Sequence, residues 1–221
     1  MGRLKSFDEA RAVDAAIERF WCQGYEATSV RDLARDMGIG GASLYNAFGD
    51  KRALFARALE RYADRSSRAR IARLEASGQG KEAIAAFLGE IVERSLSDRQ
   101  RKGCLLVNSA LDVAPHDADL GKVVAGYLDE IRAFFRRAIL RGQEAGSIAR
   151  DLDADETAGH LLGVVLGIRV LARTRPDRAS LESIARPALR LLDPPAAGRR
   201  AKRPTPKRPT PKRPRRKADP S

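Results

Sequence analysis

The stretch TSVRDLARDMGIGGASLYNAFGDK, residues 28–51, contains two short helical patterns separated by glycines. Ser29 is followed three residues later by Asp32, which has the form of a capping box, and this predicts a second helix over about 30–36. The glycine-rich segment after it predicts a tight turn. The apolar spacing then resumes and predicts a short third helix over roughly 41–47.

Apolar residues recur at helical spacing almost everywhere outside this stretch, and no window alternates with a period of two. The sequence therefore predicts an all-α fold. Gly24 ends the first helix, Asp50 caps a long fourth helix, and further breaks follow in the second half of the chain. About nine helices are expected in total.

Changes in composition divide the chain into three parts. The segment ASGQG, residues 76–80, is typical of a linker. We therefore expect an N-terminal helical domain over 1–76, joined by the long helix to a C-terminal helical domain over 80–193. Residues 194–221 repeat KRPTP and are rich in proline and like charges, which oppose helix formation, so a disordered basic tail is expected there.

The basic character of the chain lies mostly in that tail. The net charge of the 221 residues is +13, and residues 194–221 hold eleven Lys and Arg and one Asp, so only +3 belongs to the rest. Residues 1–60 hold nine basic and nine acidic side chains. Any DNA binding by the folded part would therefore depend on where a few cations lie and not on bulk charge.

Several classes of protein are disfavoured by composition. Cys22 and Cys104 are the only cysteines and His116 and His160 the only histidines, which excludes a disulfide scaffold and a zinc finger. The longest apolar run, 161–171, is too short to span a bilayer, and no secretion signal begins the chain. No phosphate-cradling glycine motif or nucleophile elbow is present. We expect a cytoplasmic protein that is not an enzyme and needs no metal or cofactor.

Two short helices joined by a glycine-bearing turn form the helix-turn-helix arrangement, whose second helix enters the major groove of DNA. A helix hairpin within a core would give the same spacing. The residues themselves, FWCQGYEATSVRDLARDMGIGGASLYNAFGDKRALF over 20–55, resemble the N-terminal domain of TetR-type (TetR/AcrR) bacterial transcriptional regulators. The resemblance covers about 50 residues; the rest of the chain has the length and helix number that the family needs.

The resemblance implies that Thr28, Tyr45 and Lys51 contact DNA phosphates. Lys51 lies in the first turn of a helix, where the helix dipole disfavours a cation, so a phosphate partner would help to explain it. Residues 41–46 would face the base edges, namely Gly41, Ala42, Ser43, Tyr45 and Asn46. Gly40 and Gly41 depart from the usual pattern, in which Ser or Thr caps this helix, and this puts base reading by its first turn in question. Asn46 could bond an adenine edge or a phosphate.

A single helix-turn-helix buries too little surface for tight specific binding, so a homodimer on a palindromic operator is expected. Gly159, Gly163 and Gly167 are spaced by four on one helical face. Interior glycines destabilise a helix, which suggests close approach of another helix, and we place the dimer interface here. Packing within one subunit is the alternative.

The region from about 81 to 150 is expected to sense an unidentified small molecule. Cys104 follows three basic residues and would open a helix, so it could be a reactive thiolate that releases DNA when modified. The segment around it also resembles a TetR subgroup that contains electrophile- and oxidant-sensing repressors. A buried, inert Cys104 is the alternative, and Cys22 is expected in the core.

Two functions remain. The first is a sequence-specific DNA-binding transcriptional regulator, for which the resemblance implies repression that a small molecule, an electrophile or an oxidant relieves. The alternative is a sequence-independent architectural protein whose DNA affinity comes from the eleven cations of the tail. No membrane partner is expected for either.

Overall fold

The computed structural model describes residues 7–76 and 80–195. These residues contain helices and no strand, so the all-α prediction is confirmed. The helices are α1 (Glu9–Gln23), α2 (Val30–Met37), α3 (Gly41–Phe48), α4 (Lys51–Ala63), α5 (Ala69–Ala76), α6 (Gly80–Ser97), α7 (Leu105–Asp112), α8 (Ala118–Glu144), α9 (Ala154–Thr174) and α10 (Arg178–Leu191).

The predicted ends of the first helices are set by local capping groups. The Ser29 hydroxyl accepts a hydrogen bond from the Asp32 N–H at 3.1 Å, and the Asp50 carboxylate accepts one from the Ala53 N–H at 2.7 Å. Gly38 ends α2 with a φ of +66°, a left-handed conformation that side chains with a Cβ disfavour. The turn between α2 and α3 therefore depends on this glycine.

The long fourth helix contains a π-helical turn that the sequence did not predict. Residues Asp64–Arg68 form this turn, and α4 and α5 continue from it on either side without a break. The Ser66 and Ser67 hydroxyls donate to backbone carbonyls four residues earlier, at 2.6 and 3.2 Å, and such bonds compete with the helical ladder. With α4, the π turn and α5 counted as one, the described residues form the nine helices expected.

Two hydrophobic cores lie along the molecule. The N-terminal core packs α1 to α4 around Phe20, Leu33, Leu44 and Phe55, and the second core packs α5, α6, α8, α9 and α10. The N-terminal core also takes in side chains from beyond the predicted linker, on α7 and α8: Leu105, Leu106, Val113, Leu120, Val124 and Tyr127. The division into 1–76 and 80–193 stays a prediction, and the packing crosses it.

Ion pairs join the N-terminal helices to α8. The Arg52 guanidinium donates two hydrogen bonds to the Asp117 carboxylate, at 2.6 and 2.9 Å, and Asp117 caps α8 through the Leu120 N–H. Farther along, Arg68 pairs with Glu130 at 2.7 and 2.8 Å. A displacement of α4 would therefore strain contacts at both ends of its packing against α8.

The start of α6 lies against the end of α8. Gly80 is buried, and a Cβ built on it would clash with the backbone of Gly142. The linker between the two predicted domains includes residues 77–79, which lie outside the described residues. The predicted tail also lies outside them from residue 196 onward. Among the helices that the structure describes, none is long and apolar enough to cross a bilayer.

Candidate functional site

The outer face of α3 is formed by the residues predicted to face DNA. Gly41, Ala42, Ser43, Tyr45 and Asn46 are all exposed. Tyr45 is 54% exposed, an unusual placement for a large aromatic side chain, so the alternative that it is a core residue is wrong. The structure brings these five positions together on one side of a single short helix.

The inner face of α3 holds the helix in place. Leu44 and Phe48 are almost completely buried in the N-terminal core. The Phe48 ring also lies 5.1 Å from the Arg57 guanidinium, which is a cation–π distance. Because only positions 44 and 48 are buried, α3 is anchored by one narrow stripe and leaves the rest of its surface available.

The N-terminus of α3 is open. Gly40 is its N-cap and provides no side-chain hydrogen bond, and the first turn contains no acidic residue. A Cβ at Gly40 or Gly41 would meet nothing within 4 Å, so packing within the chain does not require either glycine. The unpaired N–H groups and the positive end of the helix dipole are therefore free to approach an anion.

Lys51 is positioned at the loop that leads into α2. Its Nζ lies 4.3 Å from the centroid of the Tyr25 ring and donates to the Glu26 carbonyl at 3.4 Å. Neither partner neutralises its charge. Within the described residues no carboxylate forms an ion pair with it. The placement fits a cation held ready for an external phosphate.

Thr28 was expected to contact phosphate, and the structure corrects this. Its side chain is 1% exposed, its hydroxyl donates to the Gly24 carbonyl at 2.7 Å, and its N–H donates to the Tyr25 carbonyl at 3.3 Å. With both groups turned inward, Thr28 has nothing to offer a phosphate in this conformation. Its role is to close the turn between α1 and α2.

Most cations of the first four helices are already paired. Arg19 bonds Asp36, Arg35 bonds Asp32, Arg57 pairs with Glu9, and Arg61 shares Asp14 with Arg65. In the described part of α1 to α4, the cations without a carboxylate partner are Arg11, Arg31 and Lys51. The near-zero net charge of this region therefore hides a small set of available cations.

Arg31 is a candidate contact that sequence reasoning did not select. It is exposed in the first turn of α2, which begins just after the loop that Lys51 touches. Charge counting included Arg31 among nine cations but could not separate it from its paired neighbours. Its lack of a partner becomes visible only when the ion pairs are known.

Cys104 is the N-cap of α7 and is half-buried. The Tyr62 hydroxyl donates to its Sγ at 3.7 Å. Burial raises the pKa of Tyr62, so this hydroxyl stays protonated at neutral pH and remains a donor. The prediction that Cys104 opens a helix is confirmed. Cys22, by contrast, is exposed, so its expected place in the core was wrong.

An interior cavity adjoins Cys104. It holds about 30 Å³ and is lined by residues of α4, the π turn, α5, α6, α7, α8 and α9, among them Tyr62, Ser67, Cys104 and Arg169. The sensing region was expected at about 81–150. The cavity draws instead on the long N-terminal helix and on α9 as well, because both pack across that segment. No group of His, Cys, Asp and Glu able to hold a metal occurs among the described residues.

The predicted dimer face lies on α9. A Cβ at Gly163 or Gly167 would meet nothing within 4 Å, and at Gly159 it would reach only the Arg132 side chain at 3.9 Å. Packing within one subunit therefore does not explain Gly163 and Gly167. Val170 on the same helix and Leu191 on α10 are exposed apolar side chains, 46% and 49% exposed.

Comparisons with known proteins cover both halves of the chain. Residues 12–58 match the model of bacterial regulatory proteins of the TetR family, and residues 80–188 match a tetracyclin repressor-like C-terminal domain. The uncharacterised HTH-type transcriptional regulator YezE of Bacillus subtilis (strain 168) is 34% identical over 194 residues, which cover 87% of this chain and all of YezE. The HTH-type transcriptional repressor ComR of Escherichia coli (strain K12) is 30% identical, over 86% of this chain and 91% of ComR.

Solved structures agree with the sequence relatives. A cysteine variant of the TetR family transcriptional regulator CifR, in complex with a 26-bp double-strand operator DNA, is 34% identical with a TM-score of 0.77. That match covers 86% of this chain and 100% of the CifR chain. The fold, the exposed second helix of the motif and the matches over both halves agree: the chain belongs to the TetR family of bacterial regulatory proteins.

Proposed function

We propose that this protein is a sequence-specific, DNA-binding transcriptional repressor. The observation that carries the proposal is the exposed face of α3, where Ala42, Ser43, Tyr45 and Asn46 point away from the core beside an uncapped helix N-terminus. Relatives support it, since ComR is named a repressor and the CifR variant is bound to operator DNA.

The contacts divide by chemistry. Tyr45 and Lys51 would bond phosphates, together with Arg31 and the free N–H groups at the start of α3. Gly41, Ala42, Ser43 and Asn46 would face the base edges, and Asn46 has the donor and acceptor pair that matches an adenine edge. Thr28 would act indirectly, by holding the turn that places α2.

The test separates this function from an architectural one driven by the tail. Binding of the intact chain and of a chain ending at Asp193 is measured against salt, on a selected site and on random DNA. A specific repressor loses general affinity and salt dependence with the tail but keeps its preference for the site. Equal loss on both DNAs would favour the architectural alternative.

We infer a homodimer through α9 and α10. Gly163 and Gly167 let a partner helix approach closely, and Val170 and Leu191 would bury apolar surface there. Gly163→Glu should convert a dimer into a monomer in sedimentation velocity. Gly126→Glu on α8, whose added side chain also meets open space, is the matched control. A dimer that survives Gly163→Glu would contradict this interface.

We further propose that Cys104 is the sensor thiol. An alkylating electrophile would bond to Sγ with release of the thiol proton to water, and peroxide would oxidise the thiol to a sulfenic acid as the peroxide is reduced to water. Either product enlarges the sulfur group beside Tyr62 and would displace α4. Cys104→Ser should keep its DNA binding after such treatment, whereas Cys22→Ser, which removes the more exposed thiol, should respond like the unaltered protein. The reverse pattern would assign sensing to Cys22.

A further inference from the structure

Arg169 is a buried cation without a counter-charge. It is 7% exposed, and its Nη1 donates to the Ser95 hydroxyl at 3.2 Å. Ser95 is itself buried and donates to the Ile91 carbonyl at 2.8 Å. None of the carboxylates in the described chain pairs with Arg169. A guanidinium removed from water in this way is destabilised unless an anion accompanies it.

The neighbouring buried arginine does not relieve the imbalance. Arg70 is also 7% exposed and pairs with Glu90 at 3.0 Å, but Glu90 is shared with Arg73 at 2.5 Å. Burial lowers the pKa of Arg70, and repulsion from Arg94 and Arg169 lowers it further. This part of the interior therefore carries more positive charge than its carboxylates offset.

Arg169 and Tyr62 stand between two spaces. Both line the cavity of about 30 Å³ beside Cys104, which has room for about two water molecules. Both also line a more open cleft of about 340 Å³ that reaches the surface between α1, α4, α6 and α9. Arg169 is thus buried by residue exposure and yet borders a space that a small molecule can enter.

Trp21 forms another wall of the cleft. Its ring meets the Tyr62 ring edge-to-face at a centroid distance of 5.1 Å, and its buried indole Nε1 has no hydrogen-bond partner among the described residues. The cleft also borders Glu93 and Asp98, but these carboxylates are already engaged. Glu93 pairs with Arg178 at 2.5 Å, and Asp98 accepts the Gly103 N–H at 2.7 Å. Cationic and donor groups are therefore left without an acceptor.

We propose that this cleft binds a small organic carboxylate, with its carboxylate group on Arg169 and its apolar body against Trp21 and Tyr62. A carboxylate matches the planar guanidinium and would supply the missing charge. As an effector site, the proposal rests on the proposed function. Tyr62 belongs to α4, the helix that begins at Lys51, so an occupant touches the same helix that borders the DNA-binding surface.

Trp21 is the only tryptophan of the chain, so its fluorescence reports on the cleft. The full-length protein is titrated with benzoate and with hexanoate, with benzamide as the uncharged analogue and sodium chloride at matched ionic strength. We expect a saturable change with at least one carboxylate and none with benzamide or chloride. No saturable response to either carboxylate, or an equal response to benzamide, would overturn the proposal.

Arg169→Met is the decisive variant. Removing a charge-assisted pair should weaken carboxylate binding by roughly tenfold or more. Arg175→Met, which removes an exposed charge at the end of α9, should bind as the unaltered protein does. Arg169→Met should keep or raise the thermal midpoint, because an unpaired buried charge is replaced by an apolar side chain. Should it fail to fold, Arg169→Lys keeps the charge without the planar fork. Undiminished carboxylate binding by the folded variant would contradict the site.

DNA binding is measured separately on the same samples. Carboxylate binding without any selected DNA sequence would leave the site intact and refute the repressor function. A selected DNA sequence with no fluorescence response to carboxylates would do the opposite. Carboxylate binding that leaves DNA affinity unchanged would refute the role as effector.

Discussion

Exposure separates the residues that can contact DNA from those that cannot. Tyr45 and Asn46 lie on the surface, whereas Thr28 is buried although the resemblance gave it the same role as Tyr45. Sequence alone could place Thr28 before α2 but could not show that its hydroxyl turns back to Gly24. The same holds for Arg31, whose neighbours are paired while it is not.

Lys51 provides the first prediction at this scale. Lys51→Ala should weaken binding to all DNA sequences by a similar factor, because a phosphate contact carries no base information. It should also reduce the slope of log K against log salt by about 0.9 for the one phosphate lost. Arg190→Ala, at an exposed position on α10, is the control. An unchanged slope would remove Lys51 from the interface.

Asn46 provides the second, with a different signature. If it bonds an adenine edge, Asn46→Ala should cost about 1–3 kcal/mol on the preferred site and relax the preference at one position of each half-site. The readout is the selected sequence motif of the variant. A uniform loss across all sequences would indicate a phosphate contact instead.

Helix ends were predictable because they depend on local groups. Ser29, Asp50 and Gly38 each set a boundary through their own side chain or φ angle. The π turn at Asp64–Arg68 was not predictable, since Ser66 and Ser67 occur in ordinary helices as well. Its presence depends on how α4 and α5 pack, which involves residues distant in sequence.

Two glycines of α6 should respond in opposite ways to the same substitution. Gly80→Ala forces a methyl group into the backbone of Gly142 and should lower the free energy of unfolding by about 1–3 kcal/mol or more. Gly89→Ala adds the methyl in open space and should raise it by up to about 1 kcal/mol. Urea unfolding of both variants tests this. Equal effects would mean that α6 and α8 do not approach closely.

Contacts that join the two halves of the molecule were not visible in the sequence. Arg52 and Asp117 are 65 residues apart, and the buried charge of Arg169 arises only once α9 packs against α6. The helical class and the location of the DNA-binding motif could be predicted because their signals are local. The cavity and the ion pairs could not, because they depend on tertiary packing.

The Arg52–Asp117 pair predicts an acid dependence of stability. The Arg52 guanidinium, with the Leu120 N–H, holds the pKa of Asp117 well below its usual range. A carboxylate with a lowered folded-state pKa adds stability that is present above its unfolded pKa of about 3.9 and is lost as the pH falls below it. Arg52→Ala should therefore flatten the decline in stability below about pH 4, as followed by circular dichroism. A decline as steep as before would show that the pair does not link the two halves.

Selection of bound sequences from a random DNA pool tests sequence-specific recognition by α3 most directly. The intact chain, a chain ending at Asp193 and the double variant Tyr45→Ala with Asn46→Ala are compared. The account predicts that the first two enrich the same palindrome with half-sites about one helical turn apart, and that the double variant loses or changes it. The absence of any enriched motif with the chain ending at Asp193, or a motif unchanged in the double variant, would contradict it.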